Sequence, residues 1–251
     1  LYTFEQVKAA MSQVGADVVI RLTTTETLTV RNMTIAGFKE ADFQLPLDYT
    51  ALKPTFADEF NTFKLWDGVS GWRPDFGYGG YESKTAHTLV GNSELQIYVD
   101  PKFKGTASQP LGLNPFSVSD GVLTITAERT TAETKPYLWN YDYTSGLITS
   151  KNMHSQTYGY FEMRAILPQG AGFWPAFWLL PTSGAWPPEL DIMEVVTRDP
   201  TSTHTTMHTN QTGSRVTTTA AHYLSDVTKN WHTWGVKWTA ETIVWYVDGV
   251  E

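Results

Sequence analysis

The chain is predicted to be an all-β protein built mainly from antiparallel sheets. Aromatic residues make up 14% of its 251 residues, and threonine, glycine and proline are abundant, a composition that favours strands and turns. Several segments alternate apolar and polar residues with a period of two, which is typical of half-buried strands, and no long segment shows helical periodicity. The length fits one large β-domain, or one such domain with a small appendage.

Residues 1–48 are predicted to form an N-terminal extension. Residues 4–14 place apolar side chains at helical spacing, whereas residues 17–22 and 26–30 alternate like short strands. This pattern resembles the cap of a bacterial β-roll, although the Gly-Gly-x-Gly-x-Asp calcium repeats are missing; a plain extension packed on the main domain is the alternative. A linker is expected near residues 46–54, and the main domain is assigned to residues 49–251.

The main domain shows further strands in the order of a sandwich. They are predicted around residues 94–98, 122–127, 145–149 and 160–166, followed by a buried strand that begins at Glu189. Apolar and polar residues do not alternate regularly in residues 66–88, so a long loop is predicted there. Loops of that length in compact domains are usually functional. Asp248-Gly249 is a hairpin turn signal, so that Val250 and Glu251 should begin a return strand.

Three carboxylates occur within six residues, Glu189-Leu190-Asp191-Ile192-Met193-Glu194. Strand alternation puts Glu189 and Asp191 on one face and Glu194 on the other. One extra residue at Ile192-Met193, a β-bulge, would return Glu194 to the face of the other two. Like charges this close destabilise a fold and separate their pKa values, which favours two carboxyls with different acid–base roles. A Ca²⁺ site or a solvated acidic edge is the alternative, although Ca²⁺ loops usually carry Gly and Asn between the acids.

Tryptophans precede the three acids, and a flat aromatic ring matches the apolar face of a pyranose sugar. Trp174 and Trp186 each lie beside a proline near a turn, and we expect them to line a sugar-binding cleft. Phe177 and Trp178 are expected in the core instead, as large aromatic residues usually are.

Three motifs resemble glycoside hydrolase family 16 in its laminarinase-like branch: Glu189–Glu194, Phe173–Pro181 and Tyr158–Ala165. The resemblance extends from about Phe56 to Glu251. It implies a β-jelly-roll of two curved antiparallel sheets, a substrate groove on the concave face, and retaining hydrolysis of internal β-1,3 or β-1,3-1,4 glucosidic bonds. Related enzymes continue for several more strands, so we expect the chain to be truncated at its C-terminus; activity without those strands is left open.

The resemblance also implies roles for the acids, with Glu189 as nucleophile, Glu194 as general acid/base and Asp191 hydrogen-bonded to the nucleophile. A retaining glycosidase needs two carboxyls about 5–5.5 Å apart, the nucleophile ionised and its partner protonated. Because clustering separates the pKa values of the acids, the cluster would favour these opposite protonation states.

Two further polar residues are candidates for substrate binding. Arg164 follows Glu162 at strand spacing, and the matching arginine of family members lies in the groove; a salt bridge between the two is the alternative. His208 shares a strand face with His204 and Thr206, where it could contact the sugar or the acid/base. Zinc is not expected, because the histidines lack a third ligand at suitable spacing.

Composition excludes several other functions. The net charge is −8 and no basic stripe occurs, which argues against nucleic acid and anionic membrane surfaces as partners. No apolar run approaches the length of a membrane span. The absence of cysteine excludes disulfides and thiol catalysis.

The family resemblance implies a polysaccharide partner, either a β-glucan or a bacterial exopolysaccharide, and the protein is expected to be monomeric and secreted. Export would use a bacterial route without a visible signal peptide, and the true start of the chain is expected upstream of Leu1. No cofactor is expected to be required, and a structural Ca²⁺ on the convex face is implied by the family resemblance. A non-catalytic β-glucan-binding jelly-roll module is the alternative function, because fold does not determine function.

Overall fold

The computed structural model describes Leu1 and residues 3–251. One α-helix, α1, covers Phe4–Ala9, and short 3-10 helices occur at Ile35–Gly37, Glu40–Asp42, Tyr49–Ala51, Lys84–Ala86, Val90–Asn92 and Lys135–Leu138. The strands β1 to β15 are, in chain order, Met11–Val14, Asp17–Arg21, Thr27–Val30, Gln96–Tyr98, Phe116–Ser119, Val122–Ile125, Glu128–Arg129, Tyr143–Ser145, Gly159–Ala165, Ala176–Leu179, Glu189–Glu194, Ser202–Thr209, Val216–Tyr223, His232–Trp238 and Ile243–Val247. The predicted all-β class is confirmed.

The chain divides into two compact units. The first contains residues 1–53 and 156–251, and the second contains residues 54–155. The three clustered carboxylates and every other candidate site residue belong to the first unit. The boundary between residues 48 and 49 stays a prediction.

Two antiparallel sheets pack face to face in the first unit. One has the strand order β10-β11-β12-β13, and the other has the order β15-β14-β9. Leu190 and Ile192 of β11 are buried with Val236 of β14, and Met193 of β11 is buried with Trp234 of β14. These apolar side chains form the core between the sheets, so the remaining face of each sheet points away from it.

The N-terminal residues form a separate three-stranded antiparallel meander, β1-β2-β3. The helix predicted over residues 4–14 ends at Ala9, because Met11 pairs with Ile20 and is buried with Val7 and Val18. Strand pairing thus overrides the helical spacing of the apolar residues. Within the described part of the chain, no helix has the length and apolar character needed to cross a membrane.

The second unit contains a small mixed sheet, β4-β8-β7, and a hairpin, β5-β6. The strand predicted over residues 145–149 lies instead at Tyr143–Ser145, because these residues pair with Gln96–Tyr98. Gly146 follows directly, and a Cβ there would press on Phe116 and Ile125. Close packing by neighbouring side chains therefore requires glycine immediately after β8.

Candidate active site

A β-bulge in β11 brings the three carboxylates to one face. In the pairing with β12, Asp191 faces Thr206 and Glu194 faces His204, so three steps on β11 match two on β12. The pairing with β10 is interrupted at the same place. The extra residue returns Glu194 to the side of Glu189, which confirms the predicted bulge. We refer to the outward side of the β10–β13 sheet, which bears Glu189, Asp191 and Glu194, as the carboxylate face.

Asp191 is the central carboxylate and is only 4% exposed. Burial is the main cause that raises its pKa to about 8, and the charges of Glu189 and Glu194 raise it further. Its hydrogen bond with Glu189 acts in the same direction. At neutral pH Asp191 therefore holds a proton that it can donate to Glu189.

Glu194 lies in a different environment from Glu189. Burial raises its pKa above the ordinary range, and the negative charge of Glu189 adds to this effect. A hydrogen bond with Trp174 and the proximity of His204 act in the opposite direction. The Thr206 hydroxyl lies 3.5 Å from Glu194 Oε2. The raised pKa thus shifts Glu194 toward the protonated form that a general acid needs.

Glu189 receives a strong hydrogen bond from a neighbouring tryptophan. The indole Nε1–H of Trp186 donates to Glu189 Oε2 over 2.7 Å, and Asp191 supplies a second hydrogen bond. Donors that face a carboxylate stabilise its ionised form. Trp174 and Trp186 both keep about half of their surface exposed, so each ring remains accessible beside the acid that its indole contacts.

His208 lies close to the acids on the carboxylate face. Its Nε2 is 3.7 Å from Glu189 Oε1 and 3.6 Å from Asp191 Oδ2, while its Nδ1 lies 3.0 Å from the Thr217 hydroxyl. The donor atoms of Glu189, Asp191 and His208 lie within 4.8 Å of one another, a spacing that could also hold a metal ion.

Arg164 is not brought to the carboxylates, contrary to the expectation from sequence. Its neighbours Phe161 and Met163 pack into the core between the sheets, so Arg164 points outward from the β15-β14-β9 sheet, on what we term the far face. Its guanidinium lies 4.7 Å from the ring centre of Trp231. Arg164 is on the opposite side of the sandwich from the acids.

The alternative role of Arg164, a salt bridge with Glu162, is also not seen among the described residues of the far face. Glu162 Oε2 accepts hydrogen bonds of 2.7 Å from the hydroxyls of Tyr49 and Tyr160. Tyr49 lies in the predicted linker, and this contact joins the linker to β9. The carboxylate of Glu162 is thus satisfied by two tyrosines.

Trp178 does not lie in the core, where it was predicted. Phe177 pairs with Met193 and packs in the core as expected, but Trp178 pairs with Asp191. Its side chain therefore belongs to the carboxylate face. The sequence shows the alternation along β10, but the bulge in the partner strand is needed to pair Trp178 with a catalytic candidate.

A second feature that the sequence did not predict is a contact between Trp245 and the backbone of Asp191. The indole Nε1–H of Trp245 donates to the backbone carbonyl of Asp191 over 3.0 Å. The two residues are far apart in the chain and belong to different sheets. No local pattern signals such a contact.

Comparison with known proteins identifies the class to which this fold and site belong. The family model described as glycosyl hydrolases family 16 matches residues 111–251, and the chain belongs to that family. The endo-1,3-1,4-beta-glycanases EglC and ExsH of Rhizobium meliloti (strain 1021) are each 44% identical to it over 247 residues. That alignment covers 98% of this chain and 51% of each relative, so the chain spans about half of their length.

A solved structure agrees with this assignment. SCLam, a non-specific endo-beta-1,3(4)-glucanase from family GH16, is 29% identical, with a TM-score of 0.62. The match covers 82% of this chain and 73% of SCLam. The predicted jelly-roll class is confirmed.

The raised pKa of Asp191 predicts how stability depends on pH. Native Asp191 holds its proton up to about pH 8, whereas the reference value is 3.8, so between these values the native state binds more protons than the unfolded state. Its contribution to the free energy of unfolding therefore falls as pH rises through this window. The Asp191→Asn variant has no proton to lose at this position. The difference in melting temperature, variant minus parent, should therefore be more positive near pH 8 than near pH 4.5.

The exposed Glu241→Gln variant, on the turn before β15, controls for the loss of one charge. Its melting temperature relative to the parent should change much less between the two pH values. An equal change in both variants would contradict the raised pKa of Asp191.

Proposed function

We propose that the chain is the catalytic part of a retaining endo-β-glucanase that hydrolyses internal β-1,3 or mixed β-1,3-1,4 glucosidic bonds. The observation that carries the proposal is the placement of Glu189, Asp191 and Glu194 on one face, in environments that favour different protonation states. The activities named for EglC, ExsH and SCLam support the same class of substrate.

Glu189 would act as the nucleophile. Hydrogen bonds from Trp186 and from protonated Asp191 stabilise its anion. Its carboxylate attacks the anomeric carbon and forms a covalent glycosyl–enzyme bond while the glycosidic C–O bond breaks. Asp191 keeps its proton and holds the attacking carboxylate in position.

Glu194 would act first as acid and then as base. Its proton passes to the oxygen of the departing sugar, which leaves Glu194 ionised. The ionised carboxylate then takes a proton from water, and the resulting hydroxide oxygen attacks the anomeric carbon. The bond to Glu189 breaks, Glu194 is protonated again, and two displacements leave the anomeric configuration unchanged.

The exposed tryptophans would hold sugar rings on either side of the cleaved bond. Trp186 contacts the nucleophile and Trp174 contacts the acid/base, so each ring borders a different end of the carboxylate cluster. An aromatic face covers the apolar C–H groups of a pyranose ring, and the indole N–H groups orient the acids. His208 lies close enough to the acids to meet a hydroxyl of the bound sugar.

We propose further that the protein acts outside the cell as a monomer. A polysaccharide is too large to cross a membrane, which supports export of the enzyme. The candidate acids and tryptophans all belong to one compact unit, so the chemistry does not need a residue from a second copy.

The proposed activity is tested against laminarin and mixed-linkage β-glucan. An endo-acting enzyme should lower the viscosity of the polymer early, while few reducing ends have formed, because it cuts inside the chain. Glu162→Gln, which changes a glutamate of the far face, should retain this activity.

Retention of the protein on a laminarin gel without release of reducing sugar would favour the alternative, a non-catalytic β-glucan-binding module. That alternative has less support, since all three acids are present and hydrogen-bonded. If the protein cleaves only a different polysaccharide, the assignment as a hydrolase stands and the proposed substrate is wrong.

The roles of the two glutamates are separated by azide rescue on an activated aryl β-glucoside. Glu189→Ser removes the nucleophile, so azide should attack directly and give the inverted α-glycosyl azide. Glu194→Ala removes the acid/base but leaves the covalent intermediate, so azide should give the β-product. General acid–base groups typically contribute 10²–10⁴-fold, so turnover of substrates with poor leaving groups should fall by about that factor in Glu194→Ala.

The configuration of each azide product is read by NMR. The parent protein with azide controls for uncatalysed substitution. A β-azide from Glu189→Ser together with an α-azide from Glu194→Ala would mean that the two roles are reversed.

We propose that catalysis requires no metal, although Glu189, Asp191 and His208 could hold one. A cation there would displace the proton with which Asp191 bonds Glu189, and would engage the nucleophile itself. Treatment with EDTA should therefore leave kcat/KM unchanged. A structural Ca²⁺, as the family resemblance implies, would appear as a lower melting temperature after EDTA. Loss of activity at an unchanged melting temperature would contradict the proposal.

A further inference from the structure

The β-bulge of β11 leaves backbone groups outside the regular ladder of hydrogen bonds. Pairing with β12 is regular at Asp191 and resumes at Glu194, and the two residues between them have no direct partner there. Buried backbone groups near such an irregularity need a partner from elsewhere. The carbonyl of Asp191 receives the indole N–H of Trp245 over 3.0 Å.

Trp245 reaches this carbonyl from the opposite sheet. It pairs with Val236 inside the β15-β14-β9 sheet, and its ring packs against the core cluster that contains Leu190 and Ile192. The indole therefore belongs to the same apolar cluster as the side chains of β11, and it also donates a hydrogen bond to the backbone of that strand. The hydrogen bond is at the edge of the bulge.

We propose that Trp245 is a positioning residue that holds the β-bulge in register and thereby keeps Glu194 on the same face as Glu189. Asp191, whose carbonyl accepts this hydrogen bond, is the last residue before the irregularity. Because side chains alternate along a strand, loss of the extra residue from the bulge would turn Glu194 toward the core. Trp245 touches neither carboxylate, so it acts through the backbone.

The consequence for catalysis rests on the function proposed above. Loss of the hydrogen bond is expected to loosen the bulge and not to remove its extra residue. Glu194 then stays on the carboxylate face but lies farther from Glu189 and is more open to water, so both causes that raise its pKa weaken. The other groups that act on Glu194 are Asp191 on β11, His204 and Thr206 on β12, and Trp174 before β10. A displacement of about 1 Å at reacting groups can lower a rate on the order of 10²-fold.

Trp234 provides a matched control within the same sandwich. It is 1% exposed and is buried in the same core cluster as Met193, a residue of the bulge. Its indole nitrogen, however, has no hydrogen-bond partner among the described residues. Trp245→Phe and Trp234→Phe therefore remove the same atoms next to the same strand, but only the first removes a hydrogen bond to the bulge.

The test compares the two variants in kcat, KM and the pH profile of kcat/KM. We expect Trp245→Phe to lower kcat by tenfold to 10²-fold with little change in KM, and to shift the basic limb of the profile to lower pH. Trp234→Phe should leave the position of that limb unchanged. Equal changes in both variants, or a lower kcat with an unchanged profile in Trp245→Phe, would overturn the proposal.

A second replacement guards against loss of packing. Benzothienylalanine, in which sulfur replaces the indole N–H, keeps the shape of the ring and can be placed at position 245 or 234. At position 245 it should reproduce the shifted pH profile, and at position 234 it should not. A parental profile with benzothienylalanine at position 245 would show that the hydrogen bond is not needed, and would overturn the proposal.

A titration that needs no turnover separates this proposal from the proposed function. With ¹³C-labelled carboxyl groups, the NMR titration of Glu194 should move to lower pH in Trp245→Phe and stay in place in Trp234→Phe. A protein that cleaves no glucan but shows this shift would refute the glucanase and retain the positioning role. An active protein whose Glu194 titration is unchanged in Trp245→Phe would retain the glucanase and refute the positioning role.

Discussion

The alternation of side chains along β11 is the constraint on which the candidate site depends. Regular pairing would place Glu189 and Glu194 on opposite sides of a buried strand, and the two glutamates could not act on the same glycosidic bond. The register change between Asp191 and Glu194 removes that conflict. It also buries Ile192 and Met193 together in the core, so the apolar side of the strand keeps its packing while the polar side gains a third acid.

Three like-charged groups on one face would repel one another, and the surrounding tryptophans show how the strand accommodates them. Trp186 donates to Glu189, Trp174 hydrogen-bonds to Glu194, and Trp245 donates to the backbone of Asp191. Asp191 reduces the repulsion further, because a carboxyl that keeps its proton at neutral pH carries no charge. The cluster thus combines Glu189, which accepts the indole N–H of Trp186, with two acids whose pKa values are raised. A double displacement needs such an asymmetry between its carboxyls.

The sequence predicted those parts of the site that depend on local spacing. The position of the bulge followed from the need to bring Glu194 beside Glu189, and the two exposed tryptophans followed from their neighbouring prolines. Arg164 could not be placed in this way. Its alternation with Met163 is local, but the choice of which sheet faces the substrate depends on the pairing of β9 with β14. Trp178 was misplaced because it was expected to share the core with Phe177, whereas adjacent residues of a strand point to opposite faces. Residues 11–14 became a strand because Met11 pairs with Ile20.

Glu162 shows why a carboxylate on a strand of this sandwich does not by itself make a reactive group. It receives two tyrosine hydroxyls, and burial and the contact with Glu162 raise the pKa of Tyr49 above its usual range. Those hydroxyls therefore remain protonated donors to the Glu162 carboxyl group throughout the neutral range. Glu194 instead faces another acid across a bulge, which leaves its proton available for transfer. The difference between the two faces lies in what satisfies each carboxylate, and that is determined by contacts between sheets.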